Sequence, residues 1–289
     1  MESRSLFSLY ISLTKPRILF FAVLTFLMGY SMAVLGRPFL VFHLIWSTLA
    51  FTLISGCAAA LNHLLEKDID QKMERTKNRP LPSAELMPFQ VLLFAMILLF
   101  FGGVMLILSR QFELLLGCLG MLLLYDFVYT PLKRVSWLNT FVGAIPGAMP
   151  PLCGWISVST SFSWPIWVLF AVLFLWQLPH FFAIAWMYQD SYRSANLKML
   201  PGIDPTGIWS AILIIFFTLV LVFVAGLLFF VPYLGWLVGG LNIGAGLWFL
   251  WTGIRFYLDR GFTTARGVLR GSIIYQMLLF LGICLDFWI

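Results

Sequence analysis

Asn62 to Pro82 reads NHLLEKDIDQKMERTKNRPLP and holds four acidic residues (Glu66, Asp68, Asp70, Glu74) and five basic ones (Lys67, Lys72, Arg75, Lys77, Arg79). Apolar runs at 39–61 and 88–108 flank it, each near the roughly 17–25 residues that a membrane-spanning helix needs. The stretch is therefore a charged loop between two spans. In so oily a chain its charges need a reason.

Outward from this loop the same pattern repeats. Apolar segments fall at about 18–36, 39–61, 88–108, 112–130, 137–159, 165–187, 207–230, 233–256 and 267–288. The expected fold is all-α: a polytopic membrane bundle of nine transmembrane helices, with residues 1–289 forming one domain. Composition agrees, since 61% of residues are hydrophobic and 10% charged, against roughly 45–50% and 25% in soluble domains. Pro146, Pro150 and Pro151 interrupt the fifth segment; such breaks are tolerated where protein or a cavity covers the freed backbone groups. The first twenty residues lack an apolar core followed by a small-residue cleavage site, so no removable leader is expected, and no Arg- and Ser-rich presequence points to an organelle. The expected location is a bacterial inner membrane.

Basic residues set the topology. With the N-terminus cytoplasmic, that side receives Arg4, Lys15, Arg17, Lys67, Lys72, Arg75, Lys77, Arg79, Lys133, Arg134, Arg193, Lys198, Arg255, Arg260, Arg266 and Arg270, and the other side only Arg37 and Arg110. Sixteen against two is a strong positive-inside bias, and it would break if a mid-chain span were missed or invented. The C-terminus is then outside, and the polar loops after spans two, four and six open on one face. The basic residues are not gathered on one polar element, so nucleic acid is not an expected partner. Cys57, Cys118, Cys153 and Cys284 are far apart, each in an apolar run, and read as small core residues.

Asn62, Glu66 and Asp70 recur at i, i+4 and i+8, which lines them on one helix face. Three oxygen-bearing side chains at the end of span two suit Mg2+, a hard cation usually bound by one or two carboxylates together with substrate phosphates. Asp68 points away from that face unless the helix frays near Lys67. The bland alternative is a solvated helix end with Glu–Lys pairs. Against it stands Ser55-Gly56-Cys57-Ala58-Ala59-Ala60, whose small residues allow close helix packing. Downstream, Arg75 and Arg79 can fork onto phosphate oxygens, or act as membrane anchors.

The order Asn62, Glu66, Asp70, then Arg75-Thr76-Lys77-Asn78-Arg79-Pro80-Leu81 resembles the first motif of the UbiA-type intramembrane prenyltransferases. Glu66 is a conservative change, and His63 stands where many members have an acid. Tyr129-Thr130-Pro131-Leu132-Lys133-Arg134 resembles the family's end to span four. Asp68, the string Asp-Ile-Asp-x-x-Met-x-Arg-Thr and the Trp176-Gln177-Leu178-Pro179-His180 run look like one branch in particular, whose members farnesylate haem b. Gly143 to Pro151 is similar to that branch too, and implies a cavity for the acceptor. A second acidic motif is expected after span six, but Asp190 is followed by Ser194 where the acid should be.

The resemblance implies transfer of a farnesyl group from farnesyl diphosphate to a vinyl group of protohaem IX (haem b), with water addition, giving haem O for terminal oxidases. It implies Mg2+ as cofactor, with Asn62, Glu66, Asp68 and Asp70 as ligands, and His180 and Asp190 also in the catalytic set. Arg75, Lys77, Arg79, Tyr129, Lys133, Arg134, Arg193 and Lys198 would contact substrate. Membrane lipid, and a haem A synthase or terminal-oxidase assembly factor, are the expected partners. On the residues alone, His180 is either a hydrogen-bonded core histidine, an iron ligand or a base. Asp126 lies within an apolar run, where a carboxylate is expensive and usually functional or paired, and no role is read for it. Two rival functions share much of this pattern: a related prenyltransferase for a quinone precursor such as 4-hydroxybenzoate, and a non-catalytic haem carrier.

Overall fold

The backbone of an apolar run in a membrane has no water to bond, so each run closes its own hydrogen-bond ladder. The computed structural model describes residues 4–35, 37–231 and 234–288, which are helical with no strand among them. A short helix, α1 (Leu6–Leu13), precedes the long α2 (Pro16–Val34) and α3 (Val41–Leu65), and a single turn, α4 (Lys67–Asp70), follows α3 directly. Next come α5 (Pro88–Leu108) and α6 (Phe112–Leu123); α6 continues through a π-helical turn, Leu124–Tyr129, into a last turn, α7 (Thr130–Leu132). The second half holds α8 (Asn139–Ala148), α9 (Pro150–Ile156), α10 (Trp164–Met187), α11 (Gln189–Ser194), α12 (Ile208–Ala225), α13 (Trp236–Leu258) and α14 (Phe262–Trp288).

Among the described residues, eight helical stretches are long and apolar enough to cross a membrane: α2, α3, α5, Phe112–Leu132, α10, Ile208–Phe230, α13 and Phe262–Asp286. The chain is a multi-pass membrane protein. The expected fifth span is instead two shorter helices meeting at Met149, α8 of 10 residues and α9 of 7. Pro150 and Pro151 bring no N–H to the ladder, so the bonding of α8 cannot run on through them. Pro232 and Tyr233, at the connection before α13, lie outside the described residues.

Close approach between helices is bought by missing side chains. A Cβ on Gly29 of α2 would collide with the Pro151 backbone, and one on Gly154 of α9 with the Phe26 carbonyl, so the two helices meet backbone to backbone. In the N-terminal half Phe26 and Phe51 stack with ring centroids 4.6 Å apart. In the C-terminal half α10 packs on α8, α12 and α14, and α14 also packs on α2, so the last span lies beside the first.

Two arrangements position the polar loops. Ile69 and Met73, from the loop after α3, form a small apolar cluster with Ala195 and Leu197 after α11, backed by Tyr192. The Ser194 hydroxyl lies between two acceptors, the Ser191 carbonyl of its own helix at 2.9 Å and the Lys72 carbonyl at 3.1 Å, so the residue that replaces an expected acid sits where the same two loops meet. The expected single helix over 62–70 is broken at Glu66, whose φ and ψ are −100° and 4°. The Glu66 N–H still donates to Asn62 O at 3.0 Å and the Asp70 N–H to Glu66 O at 2.8 Å, so the four-residue steps survive the break.

Candidate active site

Asn62, Glu66 and Asp70 are buried, at 0%, 7% and 0% exposure, and each is held by a cation. Lys133, from the turn after α7, donates to Glu66 Oε1 at 2.7 Å. Arg79 Nη1 donates to Asp70 Oδ2 at 2.6 Å. Lys15 Nζ donates to Asn62 Oδ1, and the Asn62 amide donates in turn to Thr130 Oγ1 at 2.9 Å. The Thr130 hydroxyl donates a hydrogen bond to Tyr125 O at 2.9 Å, within the π-helical turn. Segments from three parts of the chain thus converge on one helix end.

Lys133 also stands 4.3 Å from the centroid of the Tyr129 ring. That ring fills the space at Gly143 of α8, where any Cβ would strike it. The backbone at Lys15 is left-handed, with φ of 50°, a conformation unfavourable by about 1–2 kcal/mol for a residue with a Cβ. It is sustained where its ammonium reaches the site.

Burial works against the charge of Glu66, yet the Lys133 and Lys15 ammonium groups prevail and hold its carboxyl below the usual range. At Asp70 burial wins over Arg79 and the carboxyl sits above its ordinary value. Burial also opposes the charge of Lys133, but Tyr129 and Glu66 outweigh it and the ammonium is held above the usual lysine range. Lys15 goes the other way: burial lowers it to about 8, with Glu66 only partly restoring it.

The other candidates lie apart from this buried trio. Asp68 is exposed. Lys77 is exposed and pairs with Glu74 at 2.7 Å, while the Arg75 guanidinium stacks over Tyr188 at 5.0 Å. Arg134 and Lys198 are exposed; the Lys198 backbone N–H donates to Lys133 O at 2.8 Å and so fixes the turn that carries Lys133. Asp190 and Arg193 are exposed and face each other at 3.7 Å.

His180 sits between α10 and α14. Its ring stacks on Trp176 with centroids 5.2 Å apart, and its Nδ1 lies 2.7 Å from Ser272 Oγ. The Ser272 hydroxyl has one proton, which it donates to Leu269 O at 2.7 Å. With that proton on Leu269, His180 Nδ1 is the donor to Ser272, and this tautomer leaves the Nε2 lone pair for a metal or a proton.

Lys15 and Thr130 are the members of the cluster that sequence reasoning did not assign to it. In the sequence Lys15 counts only among the basic residues of the cytoplasmic side. The one signal available was its place immediately before a Pro that starts a span.

Does this donor set suit a divalent ion? Among the described residues no three His, Cys, Asp or Glu side chains stand close enough to share one. Two buried carboxylates and an amide are nonetheless the kind of incomplete set that Mg2+ completes with phosphate oxygens and water. Asp70 Oδ1 is buried without a hydrogen-bond partner among the described residues, an oxygen left over for such an ion. The residues fit a metal that arrives with a diphosphate.

The sequence pattern of the UbiA prenyltransferase family matches residues 22–274. The chain belongs to the UbiA prenyltransferase family. Among relatives of this UbiA protein, one from Solibacter usitatus (strain Ellin6076), a protoheme IX farnesyltransferase, is 40% identical over 96% of this chain and 98% of its own. Another protoheme IX farnesyltransferase, from Cytophaga hutchinsonii, is 34% identical over 98% of both chains. The fold is shared with a UbiA homologue from Archaeoglobus fulgidus bound to DMAPP and Mg2+ (TM-score 0.75, 14% identity, 97% of this chain and 99% of that one). A digeranylgeranylglyceryl phosphate synthase is similar to the same degree (TM-score 0.78, 16% identity, 96% and 97%).

Proposed function

We propose that this UbiA-family protein transfers the farnesyl group of farnesyl diphosphate to a vinyl group of haem b, with addition of water, giving haem O. One observation carries the choice of acceptor: protoheme IX farnesyltransferases match the chain over nearly its whole length at 34–40% identity. The site supports the diphosphate half of the reaction, because buried carboxylates and cations stand together above an apolar interior.

Asn62, Glu66 and Asp70 would hold Mg2+, and we assign Asp68 and Asp190 to the outer rim. The ion, when bound, neutralises the diphosphate and favours its departure. Arg79 and Lys133 neutralise Asp70 and Glu66 while no diphosphate is present, and Lys15 holds the uncharged Asn62 amide; these three cations are assigned to the leaving group once it arrives, with Arg75 at the exposed edge. Lys77, Arg134, Arg193 and Lys198 lie further out and draw the anionic substrate toward the mouth. Tyr129 keeps Lys133 in place. We assign the cluster of Ile69, Met73, Ala195 and Leu197, next in the chain to Asp70, to limiting the water that would turn the farnesyl cation into farnesol. His180, with Nε2 unprotonated, is assigned to haem iron.

The chain works as a single domain over residues 1–289, in a bacterial inner membrane. Counting the α8–α9 pair as a crossing gives nine spans, N-terminus cytoplasmic and C-terminus outside, and puts the whole site on the cytoplasmic face. A haem A synthase or an oxidase assembly factor would take the product. The test is to incubate the purified protein with Mg2+, farnesyl diphosphate and either haem b or 4-hydroxybenzoate, and to weigh the products. Hydroxyethyl-farnesyl haem is expected; a prenylated benzoate, or unaltered haem, would overturn the assignment.

A further inference from the structure

Asp126 is fully buried, and neither of its carboxylate oxygens has a hydrogen-bond partner among the described residues. A carboxylate left unpaired inside a membrane protein is costly unless something that binds there completes it. It lies in the π-helical turn Leu124–Tyr129, an irregularity found often at functional sites. The neighbours of that turn belong to the active site. Tyr125 OH is 3.5 Å from Lys15 Nζ, and Thr130, which ends the turn, accepts from Asn62 at 2.9 Å.

Asp126 precedes Thr130 by four residues, close to one turn of the π-helical segment, so it lies further into the membrane on nearly the same side of the helix. A diphosphate held at Asn62, Glu66 and Asp70 with its prenyl tail in the apolar interior would bring its allylic carbon toward this level, so that the Asp126 carboxylate would lie beneath the leaving group, on the side of the carbon that reacts.

We infer that Asp126 is the base that takes the proton of the water added in the last step, a role that rests on the haem-farnesylating reading above. The C–O bond of farnesyl diphosphate breaks and its electron pair leaves with diphosphate. The vinyl π pair forms the new bond to the farnesyl carbon, which leaves positive charge on the inner vinyl carbon. A water oxygen donates its lone pair to that carbon, and one of the water's protons passes to Asp126. Without the base, the cation closes by losing a proton from carbon, and the product is lighter by one water.

Asp126→Asn has almost the same shape and cannot take the proton. The full-length variant, with Mg2+, farnesyl diphosphate and haem b, should release diphosphate and farnesylate haem. The ratio of hydroxylated to dehydrated product, read by mass spectrometry, should fall by a factor on the order of 100, the usual weight of a general base. Asp126→Glu should recover hydroxylated product in part. Unchanged hydroxylation in Asp126→Asn overturns the proposal, and so does failure of that variant to release diphosphate, which would place the residue in folding or in the first step. Wild-type protein that makes no farnesylated haem would instead overturn the reading of the whole reaction.

Discussion

Lys133 Nζ and Glu66 Oε1 lie 2.7 Å apart inside the protein, with side chains 11% and 9% exposed, and so tie the end of the fourth span to the end of the second. Neither residue could be so buried alone. Removing one partner of such a pair strands the other's charge, at about 3–5 kcal/mol, whereas removing both is much milder. Lys133→Met should therefore lower the thermal midpoint more than Lys133→Met combined with Glu66→Gln. Thermal unfolding in detergent, followed by tryptophan fluorescence, decides this; equal midpoints for the two variants would mean that the pair is not a structural tie.

Glu66→Ala and Asp70→Ala should each cut product formation by a factor on the order of 100 or more while leaving folded protein in the membrane. Chelating divalent ions from wild-type protein should do the same, reversibly with added Mg2+. Turnover at the wild-type rate by either variant would end the ligand assignment; size-exclusion profiles establish that the variants are folded.

Lys15 gives a pH signature. With no anion present, burial lowers its ammonium to about 8, so near that pH about half of it is deprotonated. A bound diphosphate favours the charged form and raises the pKa, so binding must take up protons. Calorimetry of diphosphate binding near pH 8 in two buffers of different ionisation heat should show uptake of a fraction of a proton, lost in Lys15→Met. Equal heats in both buffers would exclude this part for Lys15.

Gly143→Ala places a methyl group where the Tyr129 ring now lies. Overpacking of this kind costs about 1–3 kcal/mol, and the ring that supports Lys133 must shift. A raised KM for farnesyl diphosphate is expected, with a smaller effect on kcat. An unaltered KM would show that the Tyr129–Lys133 contact does not shape the diphosphate site.

His180 Nδ1 and Ser272 Oγ are 2.7 Å apart, and the tautomer that donates to Ser272 keeps its Nε2 lone pair. His180→Ala should change the absorption spectrum of bound haem, and Ser272→Ala should do so more weakly by loosening the ring. A spectrum unaffected by His180→Ala would leave the residue only its packing role between α10 and α14.

Much of the molecule could be read from residue order alone, because long apolar runs have no other way to satisfy their backbone in a membrane. That principle yields the helices, and the four-residue spacing yields Asn62, Glu66 and Asp70 on one face, which holds even across the break at Glu66. Residue order did not disclose which cation would meet which oxygen. Lys133, Arg79 and Lys15 are separated from their partners by different lengths of chain, and three basic side chains among eighteen carry no label saying that they turn inward. Nor did it show that 139–156 is two helices, since prolines inside an apolar run are compatible with a kink or a break.

The stretch 62–82 by itself determined that charge is gathered at one end of a span and in what order, because local spacing sets which side chains share a face. Tertiary structure alone decided that the trio is buried, that each member has a cation and that Asp126 has no hydrogen-bond partner among the described residues. Those are properties of contact between helices distant in sequence: α14 against α2, α7 against the end of α3, the loop after α11 against the loop after α3. Burial and pairing depend on what the rest of the chain places nearby, and no local pattern encodes that.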